Sequence, residues 1–247
     1  MLWYVVGTEK IFRYMNNHYL YLFLNLGSII FPFLFSFHPK MQFYKKFPAF
    51  LLSISIVAFV FLVWDEFFTE IGVWGFNNVY LLGIFIGSLP LEEVMFFFCI
   101  PFASLFITYS LEYFFPNLLL SSRSVKTISV SLFILVLIVV IYNFPAWYTS
   151  VNGILFLIII AWTLKNQNNY LNRFYISFIF ILIPFFIVNG ILTGSFITDQ
   201  VVWYDNQENL GIRLGTIPVE DTFYAFNMLY PVLPLTSYFD KKFNLSH

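Results

Sequence analysis

Four carboxylates in two matching settings are the residues best placed to do chemistry in this chain: Pro90-Leu91-Glu92-Glu93 and Pro218-Val219-Glu220-Asp221. Proline suits the first turn of a helix, and acids beside it lie at the positive end of the helix dipole. That accounts for one acid per helix. It does not account for two adjacent acids running into Val94-Met95-Phe96-Phe97-Phe98. An acid at membrane depth is costly and marks a functional site by default. Adjacent helical residues point about 100° apart, so one acid of each pair can face a cavity while its neighbour faces another helix. Burial favours the neutral form of a carboxyl, and a nearby like charge favours it further. Two such acids can hold one proton between them near neutral pH, which supplies a general acid and a general base in a single site.

Other chemical equipment is missing from the sequence. No Gly-x-Gly-x-x-Gly fingerprint, phosphate-cradling loop or nucleophilic serine motif occurs, so no cofactor is expected. His18, His38 and His247 are scattered without ligand spacing, and no metal site is expected. The single cysteine, Cys99, excludes an intrachain disulfide and reads as a small buried apolar side chain. The remaining chemistry is proton in, proton out.

The elements that position these acids must lie in a bilayer. Sixty per cent of the 247 residues are hydrophobic and 10% are charged, too few charges to cover a water-soluble surface. A formal net charge of -1 and the lack of a basic patch exclude nucleic acid as a partner. Residues 1–17 carry Glu9, Lys10 and Arg13 without a following cleavage site, and read as an N-terminal extension rather than a signal peptide. Translation from Met15 instead of Met1 fits equally well. At about 20 apolar residues per crossing, the sequence predicts seven transmembrane helices, near 18–38, 48–64, 88–110, 127–145, 147–164, 174–196 and 217–239. Apolar sequence runs from Val79 to Phe115, longer than one crossing, so a break is expected near Pro90. Nine of the twelve Lys and Arg residues follow the odd-numbered spans, from Lys40 to Lys242. The positive-inside rule then places the N-terminus outside and the C-terminus in the cytoplasm, with the cell (inner) membrane as the location.

The chain repeats itself. Residues 82–93 align with 210–221, and six of the twelve positions are identical. Upstream, Thr69, Val73, Trp74 and Asn77 match Thr198, Val202, Trp203 and Asn206. The expected fold is all-α and integral to the membrane, with two parallel three-helix repeats (18–115 and 147–240), a connecting helix (116–146) and a basic tail (241–247). An even number of spans separates equivalent positions, so the repeats should face each other about an axis along the membrane normal, with both acid pairs on one central cavity. Aromatic residues make up 23% of the chain; most such rings line lipid or core, and some could stabilise a carbocation through their faces. Arg213 replaces an apolar residue of the first repeat and reads either as snorkelling or as pairing with Glu220 or Asp221.

These features resemble the lycopene cyclase domain family, the integral-membrane type found as two small subunits or as one fused chain. The resemblance rests on the paired Pro-x-Glu-(Glu/Asp) motifs, the Phe-Phe run, Trp64-Asp65, Gly72-Val73-Trp74-Gly75-Phe76-Asn77 and Asn189-Gly190-Ile191-Leu192-Thr193-Gly194. It spans residues 18–240 and implies the fused form. It also implies cofactor-independent cyclisation of the acyclic ends of lycopene to β-rings, giving β-carotene by way of γ-carotene. The implied partners are a lipophilic carotenoid and the lipid bilayer, with no required protein partner. Glu92 and Glu220 are expected as the principal acid and base because both repeats keep Glu there, with Glu93 and Asp221 tuning them or completing the proton path. Pro90, Phe96, Phe97, Pro218, Phe223, Tyr224, Asp65, Asn189 and Arg213 are expected around the substrate. Two other readings stay open on the residues alone, and a third is strongly disfavoured. A retinal-binding pump would need a lysine within the last span, where none precedes Lys241. A proton-coupled transporter suits parallel repeats with buried acids. A carotenoid hydratase or a cyclase of longer carotenoids would use the same acids.

Overall fold

Apolar runs of this length form helices in a bilayer because every backbone N–H must be satisfied within its own segment. The computed structural model describes residues 17–166 and 169–243. The N-terminal extension up to residue 16, with both possible start sites, and residues 244–247 of the tail lie outside the described residues. The helices are α1 (Leu20–Phe35), α2 (Phe47–Glu70), α3 (Leu91–Phe114), α4 (Ser122–Asn143), α5 (Trp147–Lys165) and α6 (Tyr170–Leu192), followed by α7 (Glu220–Leu229) and α8 (Val232–Lys242). Helices α2 to α6 are each long and apolar enough to cross a membrane. Their outward residues, such as Phe59 on α2, Ile141 on α4 and Ile187 on α6, are large and exposed, which only lipid makes tolerable over so wide an area.

The first and last expected spans differ from single full-length helices. Helix α1 has 16 residues, about 24 Å at 1.5 Å per residue and shorter than the hydrocarbon core. The last is broken into α7 and α8 at Tyr230 and Pro231. Proline lacks the N–H that would continue the ladder, and both residues keep helical dihedrals, so the chain kinks without reversing. Continuous apolar sequence on either side hides this break.

Short ladders precede each acid pair. Strands β2 (Phe85–Ile86) and β3 (Leu89–Pro90) form one hairpin, and β5 (Arg213–Leu214) and β6 (Ile217–Pro218) form another. Each has a two-residue turn that needs positive φ at its first position, supplied by Gly87 (φ 67°) and Gly215 (φ 68°). The expected break at Pro90 is therefore a hairpin leading into α3. A third ladder joins the two halves of the chain. Strand β1 (Trp74–Phe76) pairs antiparallel with β4 (Val202–Tyr204), with Trp74 opposite Tyr204 and Gly75 opposite Trp203. If Trp74 is matched to Trp203, as the internal repeat requires, exchanging the halves turns the first of these pairs into the second. The register is thus two-fold symmetric. A side chain at Gly75 would collide with the Trp203 indole, which explains the glycine.

Helix packing follows the same exchange. Helix α1 packs on α3 as α5 packs on α7, and α2 packs on α8 as α6 packs on α3. Helix α4 packs mainly on α5 and α6. Matching hydrogen bonds tie the helices at the acid pairs. Asn25 Nδ2 donates to the Glu92 carbonyl and Asn152 Nδ2 to the Glu220 carbonyl, each at 2.8 Å. Asn152 also accepts from Asn227 Nδ2 through its carbonyl (2.9 Å) and its Oδ1 (2.8 Å). Interhelical hydrogen bonds in membranes are worth roughly 0.6–2 kcal/mol each. Asn25→Ala should therefore cost about 1 kcal/mol and Asn152→Ala about 2 kcal/mol, because the latter also takes the Oδ1 acceptor from Asn227 and leaves it the backbone carbonyl alone. Thermal unfolding in detergent checks this, and equal losses would show that Asn227 contributes nothing.

Candidate active site

Both acid pairs sit in the first turn of a helix, Glu92 and Glu93 on α3 and Glu220 and Asp221 on α7, and all four are buried. The first acid of each pair is turned toward backbone. Glu92 Oε1 accepts from the Leu82 amide at 2.5 Å, and Glu220 Oε1 from the Leu210 amide at 2.7 Å. Glu220 Oε1 also accepts from Thr149 Oγ1 at 2.7 Å. These bonds run back across each hairpin and fix it against the helix it introduces. Neither carboxylate lines the two cavities between the helices that are described below.

The second acids face inward and share one chamber. Glu93 and Asp221 both line a cavity of about 60 Å³. Tyr21 Oη donates to Glu93 Oε2 and Tyr148 Oη donates to Asp221 Oδ1, each at 2.5 Å. Beyond this matched pair the halves diverge. Asp221 Oδ2 also accepts from Tyr204 Oη at 3.0 Å and from Asn189 Nδ2 at 3.2 Å. On the Glu93 side stands Asp65, which is 3% exposed, lines the same cavity and is close enough for the two charges to interact. Asp65 Oδ2 has no hydrogen-bond partner. One acid thus collects three donors, whereas the other has one donor and a second acid.

Of the residues expected around a substrate, Phe96, Tyr224, Asp65 and Asn189 line the chamber together with Trp74. The others stand apart from it. Pro90 and Pro218 belong to the hairpins. Phe97 is buried against Phe61 and Phe96, and Phe223 packs edge-on to Phe156. Arg213 corrects the ion-pair expectation. Its Nη1 donates to the Thr216 carbonyl (3.0 Å) and its Nη2 to Asn206 Oδ1 (2.7 Å), and its guanidinium lies 5.4 Å from the centre of the Tyr204 ring. It makes no ion pair with Asp221, although its charge acts on that carboxyl from beyond the Tyr204 ring. Burial, and then the charge of Asp221, hold the Tyr204 hydroxyl well above its ordinary pKa, so it stays a donor.

Sequence reasoning missed Tyr21, Tyr148 and Tyr204. A signal for the first two was present: Tyr21-x-x-x-Asn25 and Tyr148-x-x-x-Asn152 repeat the same four-residue spacing, which puts tyrosine and asparagine on one helix face. Among the described residues no three His, Cys, Asp or Glu side chains converge to hold a metal ion.

Fold and site together define an integral membrane protein whose two halves each contribute an acid–tyrosine pair to one apolar-walled chamber. The family model described as lycopene cyclase matches the chain twice, over residues 18–114 and 143–239. These segments cover well over half of its length, and the chain belongs to the lycopene cyclase family. No curated protein and no solved structure matches it.

The bonds to Leu82 and Leu210 separate shape from chemistry at the first acids. Glutamine at 92 or 220 keeps an oxygen that can accept from the buried amide, whereas alanine leaves that amide unsatisfied. Glu92→Ala and Glu220→Ala should each lose about 1–3 kcal/mol of stability, with the Gln variants nearer wild type. Thermal unfolding in detergent measures the difference.

Proposed function

We propose that this protein is a lycopene β-cyclase, an intramolecular lyase or isomerase that closes both acyclic ends of lycopene and yields β-carotene by way of γ-carotene. The observation that carries the reading is the single apolar-walled chamber holding Glu93 and Asp221 from opposite halves of a lycopene cyclase family chain. Cyclisation of a linear polyene end needs one proton delivered and one removed, with no net oxidation. In this reading the Glu93–Asp65 pair delivers the proton. It adds to the inner carbon of the terminal double bond and leaves a tertiary cation on the outer carbon, which bears the two methyl groups. The next double bond inward attacks that cation, a carbon–carbon bond closes the six-membered ring, and the charge moves to a ring carbon. Asp221 removes the adjacent ring proton, and the electron pair of that C–H bond becomes the ring double bond.

The roles follow from the donors. Asp221 accepts from Tyr148, Tyr204 and Asn189, and three donors stabilise a carboxylate ready to act as base. Glu93 and Asp65 line the same chamber, and two acids so placed can hold one proton between them. Trp74, Phe96 and Tyr224 present rings to the chamber, which supports stabilisation of the passing cation. Glu92 and Glu220 are then positioning residues that hold α3 and α7 through the hairpins.

Two parallel three-helix repeats with α4 as connector suit the symmetric β1–β4 register and the matched helix contacts. Orientation with the N-terminus outside, in the cell (inner) membrane, is supported by the basic end of the bundle. Lys46 pairs with Asp240 at 3.5 Å, and Arg173 donates to the carbonyls of Phe115 (3.1 Å) and Pro116 (2.7 Å). The acid chamber lies toward the opposite end. No cofactor and no protein partner is required in this reading.

The test is expression in a colourless host supplied with lycopene-making enzymes, followed by chromatography of the pigments. Wild type should give β-carotene; lycopene left unchanged by properly inserted protein would overturn the assignment. Glu93→Gln and Asp221→Asn should each reduce ring closure by at least a hundredfold, about 2.7 kcal/mol of barrier. Glu92→Gln and Glu220→Gln should retain far more. The reverse order would return the chemistry to the first acid of each pair.

A further inference from the structure

The acid chamber is too small to hold the substrate it would act on. At about 60 Å³ it is well below the roughly 150 Å³ of a cavity that admits benzene. It therefore takes a terminal double bond and its methyl groups, and the rest of a linear hydrocarbon must lie elsewhere. A second cavity of about 350 Å³ adjoins it, formed by α1, α3 and α6. The two share Phe96, Ile100, Ser104, Phe185 and Asn189 as lining residues. Building on the cyclase reading above, we propose that this groove is the binding site for the polyene chain. The substrate slides in from the bilayer, and its leading end passes Phe96 and Asn189 to reach Glu93 and Asp221.

Three features of the helices fit that occupant. Pro32 interrupts α1 and Pro184 interrupts α6, and both line the groove. Each proline removes a backbone hydrogen bond and bends its helix. Gly27 on α1 also lines the groove, and a Cβ built there meets nothing within 4 Å. Glycine inside a helix is unfavourable and is usually kept for close packing. Here no neighbour packs against it, so the space over Gly27 belongs to the groove. The lining is apolar apart from Ser28, Ser104 and Asn189, the composition a hydrocarbon chain needs. The halves differ at this point: the spacing that matches Asn25 to Asn152 puts Ile154, an exposed residue on α5, where Gly27 stands.

Gly27→Phe fills the groove without touching the acids, and Ile154→Phe is the control on the opposite half. In the lycopene-producing host, Gly27→Phe should cut cyclised product at least tenfold, with a melting temperature in detergent at or above wild type, while Ile154→Phe stays within twofold. A second measurement reads binding without turnover: lycopene co-purifying with Asp221→Asn should fall at least fivefold when Gly27→Phe is added. Undiminished cyclisation by Gly27→Phe, or pigment retained in the double variant, overturns the groove. So does an Asp221→Asn protein that purifies without pigment. If wild type makes no cyclic product, the cyclase reading fails, and pigment retention by the double variant against Asp221→Asn alone still decides whether the groove binds the polyene.

Discussion

A carboxylate removed from water needs a donor, and the rest of this molecule is arranged around giving at least one to each of four. Glu92 and Glu220 take the backbone amides of Leu82 and Leu210. Those two bonds fold each hairpin against the helix that follows and set the rotation of α3 and α7. Once that rotation is fixed, the neighbouring acid points about 100° away, toward the space between the halves. Tyr21 and Tyr148 then approach Glu93 and Asp221 from α1 and α5. The tightness of the first acid's environment thus sets the geometry of the second.

The two halves share a plan and depart from it where the chemistry would need a direction. Matched tyrosines, matched asparagines and matched hairpins alone would make two equivalent carboxyls. The departures lie at Asp65 and at the group of Asn189, Tyr204 and Arg213. They put a second negative group near Glu93 and extra donors near Asp221. Gly75 belongs to the same asymmetry, since it gives way to the Trp203 ring across the β1–β4 ladder while Tyr204 extends toward Asp221. A duplicated scaffold supplies two acids facing one another, and a few unmatched side chains give them different work.

Much of this was legible in the sequence. The duplication, the hydrophobic segments and the break before α3 followed from spacing, prolines and apolar runs, because those signals are local. Which acid of each pair faces inward was not legible, since adjacency fixes only that two side chains diverge. The tyrosines at 21 and 148 were readable in principle from their shared spacing to Asn25 and Asn152, but lone tyrosines in an aromatic-rich chain do not stand out. The position of Arg213 depended on a ring contributed by another segment, and the break at Pro231 was masked by apolar sequence on both sides.

The groove opens on one side of the bundle and narrows to the acids, and this has a consequence for a substrate with two like ends. Only one end can reach the chamber at a time. If the polyene lies there, the first closure leaves a ring where the groove meets the chamber and an unreacted tail out among the lipids. The molecule must then withdraw, reorient in the bilayer and return tail first. Between the two closures it is a free membrane solute, competing with fresh substrate for the same mouth. The balance of one-ringed and two-ringed product would then be set by how much linear chain the membrane holds, and a crowded membrane would favour the half-finished pigment.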